Sequence, residues 1–323
     1  MQKPFASLNL PVLAATTLWI CAFRVMTAGT FSPLQESWIK KTDFPASSRN
    51  FGLGFSIDGK GYFGMGHKQT KPFVYKTYND LWQYDPASDS WTQKSDFPGP
   101  GRLMARGFSV NKKIYVGFGY VIAASGPNAG GNDYQTDMYE YEPATNKWQK
   151  KADSYLGRGD IFFVVGEKMY SVNPEYRALN KYNQTTDTWF ESKWGKSIPA
   201  PSHQHISGDN ICFSSGEKEY LITAVRKKDK VLNQLWELDP NSMAWKQMKD
   251  LPLPGNDTLQ TFSTDKKSFA IRGGNELLEY DVAGDAWIVK NNIPSEHKDF
   301  HPAFSIGEKI YGFSKFEFRE FTP

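Results

Sequence analysis

The sequence predicts an all-β fold in which six copies of one four-stranded unit close into a ring. Two hairpin signatures alternate along the chain, each with a spacing of seven residues, and a strand from the N-terminal end completes the last copy. Amphipathic patterns of helical period are absent over any useful length, which removes mixed α/β alternatives.

The first signature pairs an aromatic or aliphatic residue with a tryptophan seven positions later. The pairs are Tyr84 and Trp91, Tyr141 and Trp148, Tyr182 and Trp189, Leu238 and Trp245, and Tyr280 and Trp287. Turn formers stand between them, as in Asp85-Pro86, Glu142-Pro143 and Asp239-Pro240. Two β-prone segments joined by such residues read as a hairpin. The second signature sets Phe seven positions before another aromatic: Phe55 and Tyr62, Phe108 and Tyr115, Phe163 and Tyr170, Phe213 and Tyr220, Phe262 and Phe269, Phe304 and Tyr311. Polar turns such as Asp58-Gly59-Lys60 and Gly307-Glu308-Lys309 separate these pairs and ease a tight reversal.

The second signature occurs six times and the first only five, and the chain ends resolve the mismatch. Arg319-Glu320-Phe321-Thr322-Pro323 aligns with Tyr139-Glu140-Tyr141-Glu142-Pro143, so Phe321 fills the Tyr position and the chain stops at the turn. The missing tryptophan strand stands near the start, at Trp38, followed by Asp43-Phe44-Pro45 as Trp91 is followed by Asp96-Phe97-Pro98. The N-terminal strand is therefore expected to complete the last blade of a six-bladed β-propeller and fasten the ring. The six tryptophans fit blade-to-blade packing rather than a ligand role.

Aromatic residues make up 15% of the 323 and charged residues 23%, with 27 Gly and 19 Pro, a turn-rich globular composition and not a disordered one. The net charge of +3 predicts no general affinity for nucleic acid or acidic membranes. The densest basic run, Arg226 to Lys230 around Asp229, reads as a solvated loop.

Residues 1–29 read as a signal peptide or N-terminal anchor. Lys3 precedes an apolar stretch from Leu8 to Phe23, shorter than the roughly 20 residues of a spanning helix, and small residues follow at Thr27, Ala28 and Gly29. Export to the periplasm, the cell envelope or the medium is the corresponding expectation. Without that segment Cys212 is the sole cysteine, so no internal disulfide is expected and the domain at 37–323 depends on its core.

The recurring Tyr-Asp-Pro with tryptophan to follow, and the glycines after the second strand (Gly64 and Gly66, Gly117 and Gly119, Gly273-Gly274), resemble kelch repeats over residues 37–323. The wording Asp-Leu-Trp-Gln-Tyr-Asp-Pro is similar to secreted kelch proteins of bacterial type. Only one Gly-Gly pair is intact, and the third blade departs from the pattern at Ser171 and Val172. The resemblance implies an inner strand lining a central channel. It also implies one rim shared by the inter-blade loops and the loops between second and third strands.

Candidate ligand-binding residues on that rim are Arg49, Arg102, Arg106, Arg158, His203, His205, Asp299 and His301, with Asp160 beside them. Arg49, Arg102 and Arg158 stand five or six residues before the register Phe of the first three blades. Converging, they would suit a carboxylate; alternatively each pairs with a nearby acid or carbonyl and orders its own loop. The long connection from Tyr120 to Asp137 reads as a lid or a tolerated insertion.

Two enzyme classes resemble this pattern. Galactose oxidase-like copper chemistry needs two imidazoles, two tyrosines and a cross-linked cysteine, but His203-x-His205 alone is a weak metal signal. A sialic acid mutarotase of the N-acetylneuraminate epimerase type fits the blade count. The family's proposed acid–base Glu and its Arg, however, fall here on Val225 and Val231, which can neither transfer a proton nor orient a carboxylate. No nucleophile elbow, phosphate loop or zinc signature is visible. By elimination the sequence reads as an exported, monomeric, non-catalytic module for a glycan or protein, needing no cofactor and no metal, with the mutarotase as the alternative.

Overall fold

In the computed structural model the two hairpin signatures become six four-stranded antiparallel sheets. It describes residues 37–323 apart from 73, 123–130, 155–160, 174–177, 194–211, 216–217, 228–229, 240–241, 243, 253–258, 298–299 and 315–316. The expected leader at 1–29 thus lies outside the described residues.

The first blade runs outward from an inner strand Leu53–Ile57 through Lys60–Gly64 and Leu81–Asp85 to an outer strand Ser90–Lys94. The other inner strands are Arg106–Val110, Ile161–Val165, Cys212–Ser215, Leu259–Ser263 and His301–Ile306. Every residue pair of the two signatures is a directly facing cross-strand pair, from Phe55 with Tyr62 to Tyr280 with Trp287. The third blade, weakest in sequence, keeps all four strands, with Ser171 facing Asn180.

The reason both signatures recur lies in the seams. Each apolar cluster is shared by two neighbouring blades: the Phe and Tyr of one blade's inner hairpin meet the Tyr and Trp of the next blade's outer hairpin. Phe55 and Tyr62 pack with Tyr141 and Trp148, and Phe304 and Tyr311 with Tyr84 and Trp91. Burying such aromatics is the largest favourable contribution available to a ring with no disulfide.

Polar clasps reinforce the seams. Tyr84, Tyr141, Tyr182 and Tyr280 donate their hydroxyls to Asp89, Asn146, Asp187 and Asp285 at 2.6–2.8 Å. Those same oxygens accept the backbone N–H of Thr42, Ser95, Ala152 and Lys249 from the preceding blade at 2.7–3.0 Å. Trp91, Trp148 and Trp287 donate their indole N–H to the carbonyls of Thr42, Ser95 and Lys249. The four turn residues hold φ near 50°, a region that Asp and Asn tolerate better than most residues.

The ring closes as the chain ends foretell. Strand Ser37–Lys40 pairs with Glu317–Thr322, with Trp38 directly opposite Phe321. The inner strands of the sixth and first blades approach closely, and a Cβ on Gly54 would run into the carbonyl oxygen of Ala303.

Candidate functional site

All six inner strands begin on the same rim, so the first residues of those strands share the channel mouth. Arg106 opens the second blade's inner strand and His301 the sixth, while Gln260 is the second residue of the fifth. Gln260 Nε2 and His301 Nδ1 share a hydrogen bond of 2.6 Å, and Gln260 Oε1 is buried without a partner. The charge of Arg106 reaches the fourth blade, where it opposes the upward push that burial gives the Cys212 thiol. Arg106 and the Gln260–His301 pair thus stand at corresponding ends of three inner strands.

Arg49 and Arg102 have a different placement. The Arg49 side chain is 1% exposed and forks onto Asp80, with a 2.9 Å bond from Nη2 to Oδ2 and a further bond to the Met65 carbonyl. Phe44 and Tyr78 flank its guanidinium. Arg102 repeats this in the next blade on Asp137 and the Phe118 carbonyl, beside Phe97. Each orders its own loop. Arg158, Asp160, His203, His205 and Asp299 lie outside the described residues.

The two clasps hold a matched pair of rim devices. Asn50 bridges His67, and Leu103 bridges Tyr120, through paired backbone hydrogen bonds. Between clasp and bridge the chain takes left-handed φ at Phe51, Met65 and Gly66, and again at Met104, Phe118 and Gly119. Extra hairpins rise from this frame: His67–Lys71 with Val74–Thr77 in the first blade, and Tyr120–Ile122 with Asn132–Tyr134 in the second. The connection from Tyr120 to Asp137 is thus partly a hairpin, its residues 123–130 lying outside the described set. In the fourth blade Lys218–Lys227 and Lys230–Leu238 extend together, with Val225 facing Leu232 and Arg226 facing Val231.

Among the described residues no group of three His, Cys, Asp or Glu side chains is placed to share a metal ion. Sequence reasoning missed Gln260, which lies beside Thr261 in a mixed strand and carries no motif of its own. It also missed the lysines of the first-blade hairpin, whose signal is a stretch from 67 to 77 without an acid.

Six blades with aromatic seams, tyrosine–tryptophan outer hairpins and a final sheet completed from the N-terminal side define a six-bladed β-propeller of the kelch type. A comparison with protein-family models finds no match. Among curated proteins, the N-acetylneuraminate epimerase of Haemophilus influenzae (strain 86-028NP) is 25% identical over 221 residues, which cover 58% of this chain and 58% of that protein. The same-named protein of Pasteurella multocida (strain Pm70) is 26% identical over 229 residues, 58% of this chain and 59% of its own length. A putative F-box/kelch-repeat protein of Arabidopsis thaliana is 24% identical over 268 residues, 76% of this chain and 67% of its length. The chain therefore spans less than two thirds of the length of the epimerases it matches. The solved structure of YjhT superposes with a TM-score of 0.53 at 17% identity, covering 71% of this chain and 74% of that one, and so shares the fold.

Proposed function

We propose that this propeller is an exported sugar-binding module that takes an acidic sugar of the N-acetylneuraminate kind at its channel mouth. The observation that carries the reading is the mouth itself, where Arg106, Gln260 and His301 stand at corresponding ends of three inner strands. A guanidinium suits a carboxylate, and an amide beside an imidazole suits hydroxyl and N-acetyl groups. The names of the relatives supply the sugar class. Export rests on the apolar stretch after Lys3.

A mutarotase is the second reading, favoured by those same names. Valine at 225 and 231, where that family carries its acid–base Glu and its Arg, supports binding without turnover.

Titration calorimetry with N-acetylneuraminate, followed by NMR of its anomer exchange, separates the two. Binding that weakens at least about tenfold in Arg106→Ala, with exchange at the uncatalysed rate, is the expected result. Accelerated exchange overturns the non-catalytic reading, and absence of binding to any acidic sugar overturns the ligand class.

A further inference from the structure

Two large apolar side chains stand at one equivalent place on the rim. Phe51 comes four residues before the register Phe55 of the first inner strand, and Met104 comes four before Phe108 of the second. Their backbones take φ of 54° and 51°, and each residue is 41% exposed. Left-handed φ is costly for a bulky residue, and Gly, Asn or Asp fills it with less strain. Leaving a phenyl ring and a thioether in water is a second cost. The fold bears both in two consecutive blades.

The loops beneath are tied on both sides. The Arg49 and Arg102 forks hold one side, and the Asn50–His67 and Leu103–Tyr120 bridges hold the other. Glycines let the loops settle: a Cβ on Gly66 would lie 2.6 Å from the Asn50 carbonyl oxygen, and one on Gly119 2.4 Å from that of Leu103. Phe51 also stacks on the buried His67, with 5.3 Å between ring centroids. The sixth blade uses the same position for its core, where Phe300 is 1% exposed and packs on Trp38. The corresponding positions 159, 209 and 258 lie outside the described residues.

Phe51 and Met104 lead into neighbouring inner strands that nearly touch, since a Cβ on Gly107 would meet the Phe55 ring at 2.6 Å. Met104 stands two residues before Arg106, the first residue of its strand. An apolar shelf therefore adjoins the residue assigned to the sugar carboxylate. Neither side chain can donate a hydrogen bond, so the shelf suits the apolar part of an acidic sugar, the methyl end of an acylamino group. We propose that Phe51 and Met104 are specificity residues that take the N-acyl group of the sugar whose carboxylate meets Arg106. The inference rests on the acidic-sugar reading and adds to it the choice between an acylamino sugar and its hydroxyl counterpart. Two side chains match one such group and fall far short of the roughly 800 Å² per partner that a stable protein interface buries.

Titration calorimetry of the full chain with N-acetylneuraminate, and with its analogue carrying a hydroxyl in place of the acetamido group, tests it. The parent should prefer the acetamido sugar by about fivefold or more. The double variant Phe51→Asn, Met104→Asn should bring the two affinities to within about twofold. Met104→Asn alone, which disturbs no stacked ring, should lose part of the preference, and Met104→Leu should keep it. Asn accepts left-handed φ better than Met, so the melting temperature of Met104→Asn should not fall. Arg106→Ala should weaken both sugars alike. Equal affinities in the parent, or a preference that survives the Asn variants, overturns the proposal and leaves the carboxylate reading standing. Binding of neither sugar overturns both.

Discussion

Glu219 places a carboxyl group where other blades carry an apolar or small residue. It faces Ser214 across the inner hairpin of the fourth blade, where Ile114, Met169 and Ile310 occupy the corresponding positions of other blades. Its side chain is buried and accepts a 2.5 Å hydrogen bond from Ser214, but burial outweighs that bond and pushes its pKa from 4.5 up to about 8. The folded protein therefore keeps a proton that the unfolded chain releases above pH 4.5. Stability from this group is complete below the unfolded value and is lost as pH rises through the folded one, by about 1.4 kcal/mol per pH unit within that window. Buried His67 and His297, whose pKa values are lowered by desolvation, act in the opposite sense, so the difference between two proteins is the informative quantity. Glu219→Gln keeps a partner for Ser214 and removes the titration. Urea unfolding near pH 5 and pH 8 should show the variant gaining stability relative to the parent at the higher pH. An identical pH slope in both would mean that Glu219 ionises normally.

At the scale of the hairpin, the clasp is the unit of construction. Asp285 accepts the Tyr280 hydroxyl and the Lys249 N–H, each at 2.8 Å, while φ at 46° suits Asp or Asn. Asn146 does the same work three seams away, accepting Tyr141 and Ser95. Asp285→Asn should consequently stay within about 0.5 kcal/mol of the parent, whereas Asp285→Ala should cost about 1–3 kcal/mol by leaving Tyr280 and Lys249 unpaired. Thermal denaturation of both variants checks this. The clasp also marks how far the sequence could be read. The Tyr and Trp of each outer hairpin are legible because their spacing is local and repeated. The Asp or Asn two positions before the Trp looks like any turn former, since its partner belongs to the preceding blade. Arg49 and Arg102 are likewise legible as equivalent positions, but Asp80 and Asp137 lie 31 and 35 residues downstream, beyond any local pattern. Gln260 carries no periodic signal at all, and only the common start of the inner strands sets it beside His301.

For the molecule as a whole, the closing strand decides whether six sheets behave as one ring. Ser37–Lys40 completes the last sheet, and Trp38 stacks on Phe321 at 4.3 Å while its edge meets Phe300 and its ring packs on His297. The same segment then reaches the first blade: Thr42 donates to Asp89 and accepts from Trp91, and Phe44 packs among Phe63, Trp82 and Phe313. These contacts join the two ends of the chain across one seam. A chain starting at Phe44 keeps every residue of the first five blades but exposes the edge of Glu317–Thr322, uncovers Phe321 and orphans the Asp89 clasp. Because each blade is held mainly by its neighbours, an open ring frays from the unpaired sheet. The shortened chain should melt well below the full chain, and hydrogen exchange should accelerate first in Lys309–Ser314 and Glu317–Thr322 before reaching other blades. A peptide of residues 35–43 added in excess should restore part of the lost stability by re-pairing with Glu317–Thr322. Equal melting of the two chains would mean that the seam aromatics alone keep the ring shut, and the strand would then be an accessory of the fold, not its fastening.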